Sequence, residues 1–374
     1  MKRFLPTIKL VDICKKSNGA IILKNINMEV PDKSLYVILG PPRSGKSALG
    51  RIIAGLDTPD TGRILFDDQD VTNLGPAERN VSMVFQDFAL YPHLTAFDNI
   101  ASPLRKLKLP KEEIRKRVLE VAEYLKISHR LTHYPSELSG GEKQRVAIAR
   151  ALVKGAQIII LDEPFVRLDY KVREDMRAEL YRLQKDVGVN VILLSSDPVD
   201  AMSFSENIAF MRDGEIVQIG SLTKLYDNPK NIFVARYIGV IEMNFIPAKI
   251  IQENNRKVLD TGIGKIALPT IPQLSENEVL IGVRPEHICI EEEGGPPHAG
   301  NTFTIEGRVK ITEVIGSETI VHLDVGLTEP IRILIPGIYK KNPGEVLKAT
   351  FNISNIYLFN VNGLFICKGG DILG

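Results

Sequence analysis

At 374 residues and 44% hydrophobic content, the chain is too long for one ordinary core and comfortable for two. A formal charge of +1 excludes a global field favouring nucleic acid or an anionic membrane. The start, MKRFLPTIKLVDICKK, lacks a signal peptide's apolar run, and no stretch approaches the about eighteen apolar residues of a spanning helix, so any work at a membrane is expected to go through other subunits.

In chain order, LYVIL (35–39) is a continuous apolar run of strand length. QIIIL (157–161) and NVILL (190–194) match it. Such runs, separated by helical segments, predict buried parallel strands in an α/β layer fold. KEEIRKRVLEVAEYLK (111–126) places Ile114, Val118, Leu119, Ala122 and Leu125 on one helical face. IAFMRDGEIVQI (208–219) predicts a hairpin turning at Asp213-Gly214. SLTKLYDNPKNIFVARYIG (221–239) reads as mainly helical. Beyond it, short apolar runs alternate with turn signals, and EEEGGPP (291–297) reads as a loop. This pattern predicts a domain at 1–239 and a smaller all-β barrel or sandwich at 240–374. Cys14, Cys289 and Cys367 fit neither a disulfide framework nor a zinc site and read as cytosolic thiols.

The chemistry begins after the first apolar run. Gly40, Pro41, Pro42, Arg43, Ser44, Gly45, Lys46 and Ser47 match G-x-x-x-x-G-K-[ST], followed by Ala48. Between a strand and a helix, such a loop holds phosphate oxygens on its backbone N–H groups and on the helix N-terminus. Lys46 supplies charge to the β/γ-phosphates, and Ser47 can ligate Mg²⁺. Alone, QIIILDEP (157–164) reads as a strand reaching a solvated loop. With the phosphate loop upstream, Asp162 becomes a magnesium holder through water. Glu163 then orients or deprotonates an attacking water.

LSGGEKQR (138–145) is more specific, because it resembles the signature of ABC proteins, which other phosphate-loop families lack at that position. Ser139 and the amides of Gly140 and Gly141, at a helix N-terminus, would bind the γ-phosphate of ATP held by a second subunit. Gln86 matches the family's glutamine loop, which contacts magnesium and the membrane subunit, and Asp169 matches the D-loop aspartate. ALYPHLTAFDNI, VIGSETIVHLDV, VRPEHI and NIYLFNVNG resemble the ATP-binding subunits of maltose and glycerol-phosphate type importers.

The resemblance implies an ABC nucleotide-binding domain with a helical subdomain and a C-terminal OB-like (TOBE-type) regulatory domain. It implies ATP and Mg²⁺ as ligands, with Ser47, Gln86 and Asp162 on the metal. Its implied partners are two transmembrane permease subunits, an extracytoplasmic solute-binding protein and a second ATP-binding subunit, with no nucleic acid. The implied place is the cytoplasmic face of the plasma membrane. Several positions depart from the family pattern. Ser196 stands for the switch histidine, Arg43 for a glycine, Ala48 for a hydroxyl residue and Asn18 for the aromatic that stacks on adenine. Val166 and Arg167 replace D-loop residues, and Pro42 has no N–H to donate. All lie on the nucleotide-holding side, while the signature is intact. The expectation is a heterodimer in which this chain lends its signature to a competent partner and hydrolyses slowly itself. The alternatives are a homodimer with two equivalent sites and a non-hydrolysing regulatory subunit.

Overall fold

The three apolar runs form strands Leu35–Leu39, Ile158–Asp162 and Asn190–Ser195, and every residue in them is buried. In this computed structural model the described residues are 6–204, 206–253, 256–268, 277–291 and 301–373. The three strands lie in a six-stranded sheet ordered Glu215–Gly220, Asn207–Arg212, Leu35–Leu39, Asn190–Ser195, Ile158–Asp162 and Val81–Val84. All neighbours pair in parallel except the first two. Those two form the expected hairpin, with Asp213 and Gly214 at φ 50° and 80°. The carboxyl ends of the parallel strands deliver Gly40, Glu163 and Ser196 to one edge, where ligands of open α/β sheets bind.

A second, antiparallel sheet is ordered Ala20–Val30, Ile8–Ser17, Thr61–Phe66 and Gln69–Asp70. Its first two strands are joined by Asn18 and Gly19, with φ of 48° and 80°. An Asn-Gly pair with both φ positive is the tight turn that matches strand twist. Ile8 and Ile26 of this sheet share one core with Ile38, Ile52 and Ile192 around the parallel sheet.

The helices Ala96–Lys106, Lys111–Tyr124 and Gly140–Val153 pack against one another. In the second of them Ile114, Val118 and Ala122 are buried, and Leu125 follows buried at its end. Leu119 was expected on the same face but is 41% exposed. It lies about 100° around the helix from Val118, at the rim of the apolar stripe.

The chain divides into two compact units, Met1–Leu222 and Thr223–Gly374. The second is built on two antiparallel sheets. One is ordered Lys265–Ala267, Arg256–Asp260, Asn244–Glu253, Glu278–Val283, Tyr357–Asn360 and Phe365–Lys368. The other is ordered Ile288–Ile290, Val346–Asn352, Thr302–Ile315, Glu318–Asp324 and Ile331–Pro336. Ile281, Val321, Ile333 and Leu358 belong to their common core, giving the all-β unit that the turn-rich pattern predicted and the OB-like fold that the family resemblance implied.

The segment expected to be helical up to 239 is two short helices, Leu222–Asp227 and Ile232–Tyr237, broken around Pro229. Asn231 caps the second, its side chain accepting from Phe233 N and Val234 N at 3.1 Å each. Where the sequence suggested a division at 239/240, the compact units divide at 222/223. Arg284 gives the reason. It is fully buried and donates to Ile238 O (2.6 Å) and Tyr226 O (2.9 Å), with its guanidinium 3.5 Å from the Tyr226 ring centroid. One strand end of the β unit thereby grips both helices. The expected loop 291–297 lies outside the described residues beyond Glu291.

Candidate active site

The phosphate loop is shaped by two glycines that tolerate no side chain. A Cβ on Gly40 would stand 2.0 Å from Met211 O. Gly45 has φ 102°, and a Cβ there would meet Leu23 and Met211 side chains at 2.9 Å. The loop closes through Ser44 N to Pro41 O (3.2 Å), and the helix Lys46–Ala54 opens with Leu49 N bonding to Gly45 O (3.0 Å).

Lys46 is 4% exposed and its Nζ has three partners. It donates to Gly40 O (2.8 Å) and Pro41 O (3.0 Å), and lies 3.4 Å from Glu163 Oε1. Burial pulls its ammonium below the ordinary lysine range, against the opposing pull of Glu163 and Asp162. Ser47 Oγ donates to Asp162 Oδ1 at 2.9 Å. Burial pushes the Asp162 carboxyl above its usual value, although the Ser47 bond and the Lys46 charge oppose this.

Glu163 takes φ 47°, a left-handed conformation uncommon for a non-glycine residue. Its Oε2 accepts from both the N–H and the Oγ of Ser196, each at 3.0 Å. Thus Ser196, expected only as the stand-in for an imidazole, grips the carboxylate at the site's centre. Lys46, Ser47, Gln86, Glu163 and Ser196 line one cavity of about 530 Å³. Pro42, Arg43, Gly45, Ala48 and Val166 border it as well. Gly40, Pro41, Ser44 and Asp162 are not among its lining residues. The first two give carbonyls to Lys46, Ser44 turns its buried hydroxyl towards Gly40, and Asp162 reaches the cavity through Ser47.

The donor set suits a magnesium triphosphate. A buried ammonium can meet phosphate charge, while a hydroxyl, a carboxylate and the Gln86 amide are hard oxygen donors for Mg²⁺. Arg43 is the departure with a visible structural cost, for it has φ 66°. The backbone there asks for glycine, and the side chain opens onto the cavity.

The signature lies elsewhere. Ser139 caps the helix Gly140–Val153, its Oγ accepting from Glu142 N at 3.3 Å, and Glu142 Oε2 accepts from Ser139 N at 2.8 Å. Burial alone would raise the Glu142 carboxyl, but the bonds from Ser139 and Arg130 outweigh it and hold it below the usual range. A Cβ on Gly141 would meet Val172 at 2.7 Å, and one on Gly140 would meet Arg167 O at 3.2 Å. Asp169 caps the next helix, Tyr170–Leu183, by accepting from Val172 N at 3.0 Å. Ser139, Gly140, Gly141 and Asp169 therefore cluster together and do not line the Lys46 cavity.

Sequence reasoning missed a charged group behind the Ser196 loop. Arg177 donates to Asp200 Oδ1 (2.6 Å) and Asp197 Oδ2 (3.0 Å), and Arg173 donates to Asp197 Oδ2 (3.1 Å). The signal was available: arginines at 173 and 177, the spacing of neighbours on one helical face, and aspartates three apart just after the NVILL strand.

The "ABC transporter" family profile matches residues 23–166, and that of the "TOBE domain" matches residues 281–359. The chain is 39% identical to the trehalose/maltose import ATP-binding protein of Thermococcus litoralis, over 94% of this chain and 97% of that one. It is 34% identical to the sn-glycerol-3-phosphate import ATP-binding protein of Brucella abortus, over 95% and 97%. It is 40% identical to the spermidine/putrescine import ATP-binding protein of Vibrio cholerae, over 77% and 76%. Among solved structures it resembles a dimeric ATP-binding cassette in a post-hydrolysis state bound to ADP and Pi, with TM-score 0.52, 35% identity, and 57% of this chain and 98% of that chain covered. A cavity built around Lys46 and Glu163, a separate capped signature and likeness over nearly the full length agree: the chain belongs to the ABC transporter family, among its import ATP-binding proteins, and is an ATPase whose hydrolysis is coupled to transport.

Proposed function

We propose that this chain powers uptake of a small solute, a sugar, polyol or glycerol phosphate, as the weaker half of an unequal ATPase pair. It docks at the cytoplasmic face of the membrane onto two permease subunits, which an extracytoplasmic solute-binding protein supplies. The names of the relatives support the cargo class, which extends among them to polyamines. Among the described residues no helix is long and apolar enough to cross a membrane, so docking onto permeases supplies the membrane link.

The observation that carries the chemistry is Glu163, held by Ser196 at 3.0 Å beside Lys46 in one cavity. Lys46 and the loop amides orient the triphosphate, and Ser47, Asp162 and Gln86 would hold Mg²⁺. Bound there, Mg²⁺ would supply charge neutralisation for the triphosphate. Glu163 orients a water for in-line attack on the γ-phosphorus. As the water's oxygen bonds to phosphorus, the bond to the ADP oxygen breaks, and Glu163 accepts the water's proton.

The inequality rests on which side has changed. Arg43 in a left-handed conformation, Pro42 without an N–H and Ser196 in place of an imidazole all touch this chain's own cavity. The signature keeps its cap and both glycines. The test is made in the assembled transporter. Ser139→Arg, which puts bulk and charge into the second subunit's ATP site, is expected to abolish transport and most ATPase activity. Glu163→Gln, which touches only this chain's site, is expected to cost about tenfold less. Equal, near-complete loss from both would establish two equivalent sites, as in a homodimer.

A further inference from the structure

The loop that carries Ser196 is anchored from behind by charges that face away from the nucleotide cavity. Arg177 is 7% exposed and Asp200 2% exposed, and they pair at 2.6 Å. Asp200 also accepts from Ser195 Oγ, which in turn accepts from Asp197 N at 3.0 Å. Asp197 receives both Arg173 and Arg177. Ser196 thus sits between two residues that are each tied to the same buried group.

Both arginines stand on the helix Tyr170–Leu183, and that helix also reaches the segment following Glu163. Arg173 donates to Leu168 O at 3.4 Å, and the Arg177 guanidinium lies 5.9 Å from the Phe165 ring centroid. One helix therefore joins the two loops whose relative position decides where the Glu163 carboxylate points.

We propose that Arg173, Arg177, Asp197 and Asp200 are positioning residues for hydrolysis: they fix the Ser196 backbone and, through its two bonds, hold Glu163 Oε2 in place. The proposal rests on Glu163 being the base. Two features argue for a task beyond stability. Buried ion clusters stabilise no better than apolar packing of similar volume, because desolvation offsets their attraction. Both bonds from Ser196 also converge on a single carboxylate oxygen, so a small shift of residues 195–197 moves the base directly. A displacement near 1 Å at a reacting group costs on the order of 100-fold in rate.

The experiment uses the purified full-length chain in excess over radiolabelled MgATP. Single-turnover hydrolysis, at a chain concentration high enough for two copies to pair and lend each other the signature, reads this chain's own site, whatever its partner in the cell. Asp197→Asn and Arg177→Met are expected to slow the bond-breaking step about 10- to 100-fold while nucleotide Kd stays within about twofold. Arg177→Lys, which keeps the charge without the fork, is expected to recover part of the loss. In a Glu163→Gln background, Asp197→Asn is expected to cost nothing further, since the base it positions is gone. Full additivity of the two changes would overturn the proposal while leaving Glu163 as the base. An unchanged rate in folded Asp197→Asn, or a Kd that worsens in step with the rate, would overturn it equally. No loss from Glu163→Gln alone would remove both the base assignment and this proposal. Asp197 keeps the test sound if Arg177→Met fails to fold, because its side chain is 26% exposed and asparagine preserves its shape.

Discussion

At residue 43 a single backbone angle carries two consequences. Arg43 sits at φ 66°, a region costing a side-chain-bearing residue about 1–2 kcal/mol relative to ordinary helical geometry. Arg43→Gly is expected to raise unfolding stability by about 1 kcal/mol, less the entropy glycine adds to the unfolded chain. The same change is expected to tighten ATP binding severalfold, since the loop amides gain freedom to follow phosphate oxygens; denaturation and nucleotide titration check the two halves. The sequence showed the missing glycine as a departure from pattern, but only the angle shows that the fold still asks for one. Cysteine reactivity gives another residue-scale test. Cys289 is exposed, whereas burial, helped by Asp371, pushes the Cys367 thiol up to about 11. At pH 8 roughly one part in a thousand of Cys367 is thiolate, so iodoacetamide is expected to label Cys289 first, as peptide mass spectrometry would show.

Among the elements, the parallel strands and the signature helix were plain in the sequence because each carries a strong local signal. An uninterrupted apolar run has nowhere to go but a core, and S-G-G-E caps a helix by its own side chains. The reach of the helix around 221–239 was not plain, because apolar spacing there ignored Pro229 and could not show Arg284 from 46 residues away. The Ser196–Glu163 grip was hidden for the same reason, since it joins residues 33 apart. Arg284→Met is expected to leave the Tyr226 and Ile238 carbonyls unpaired, at a cost of about 2–4 kcal/mol for the pair. Limited proteolysis is expected to show new cutting within 223–239 while the strands stay protected.

At the scale of the whole molecule, the shift between helical and turn-rich composition suggested a division at 239/240, while the compact units divide seventeen residues earlier, at 222/223. Truncation separates the two descriptions. A fragment of residues 223–374 keeps the helices over Arg284 and is expected to fold alone with a cooperative transition. A fragment of residues 240–374 strips them away and leaves a buried guanidinium without its carbonyls, so it is expected to be less stable by about 2–4 kcal/mol or to aggregate. Circular dichroism melts of the two fragments decide it, and equal midpoints would favour the later division. Cargo was legible at neither level. The phosphate loop and the signature are built for nucleotide, and the names of relatives are what speak to a solute.

The three partners of Lys46 have a consequence for the order of events. In this structure the ammonium is saturated by Gly40 O, Pro41 O and the Glu163 carboxylate. Triphosphate arrival is therefore an exchange, in which phosphate oxygens replace a carboxylate that was neutralising the same charge. Glu163, released from the ammonium, is then left to the two donors of Ser196 and to the attacking water. The pair behaves as a safety catch: the fuel itself unlocks the group that will consume it.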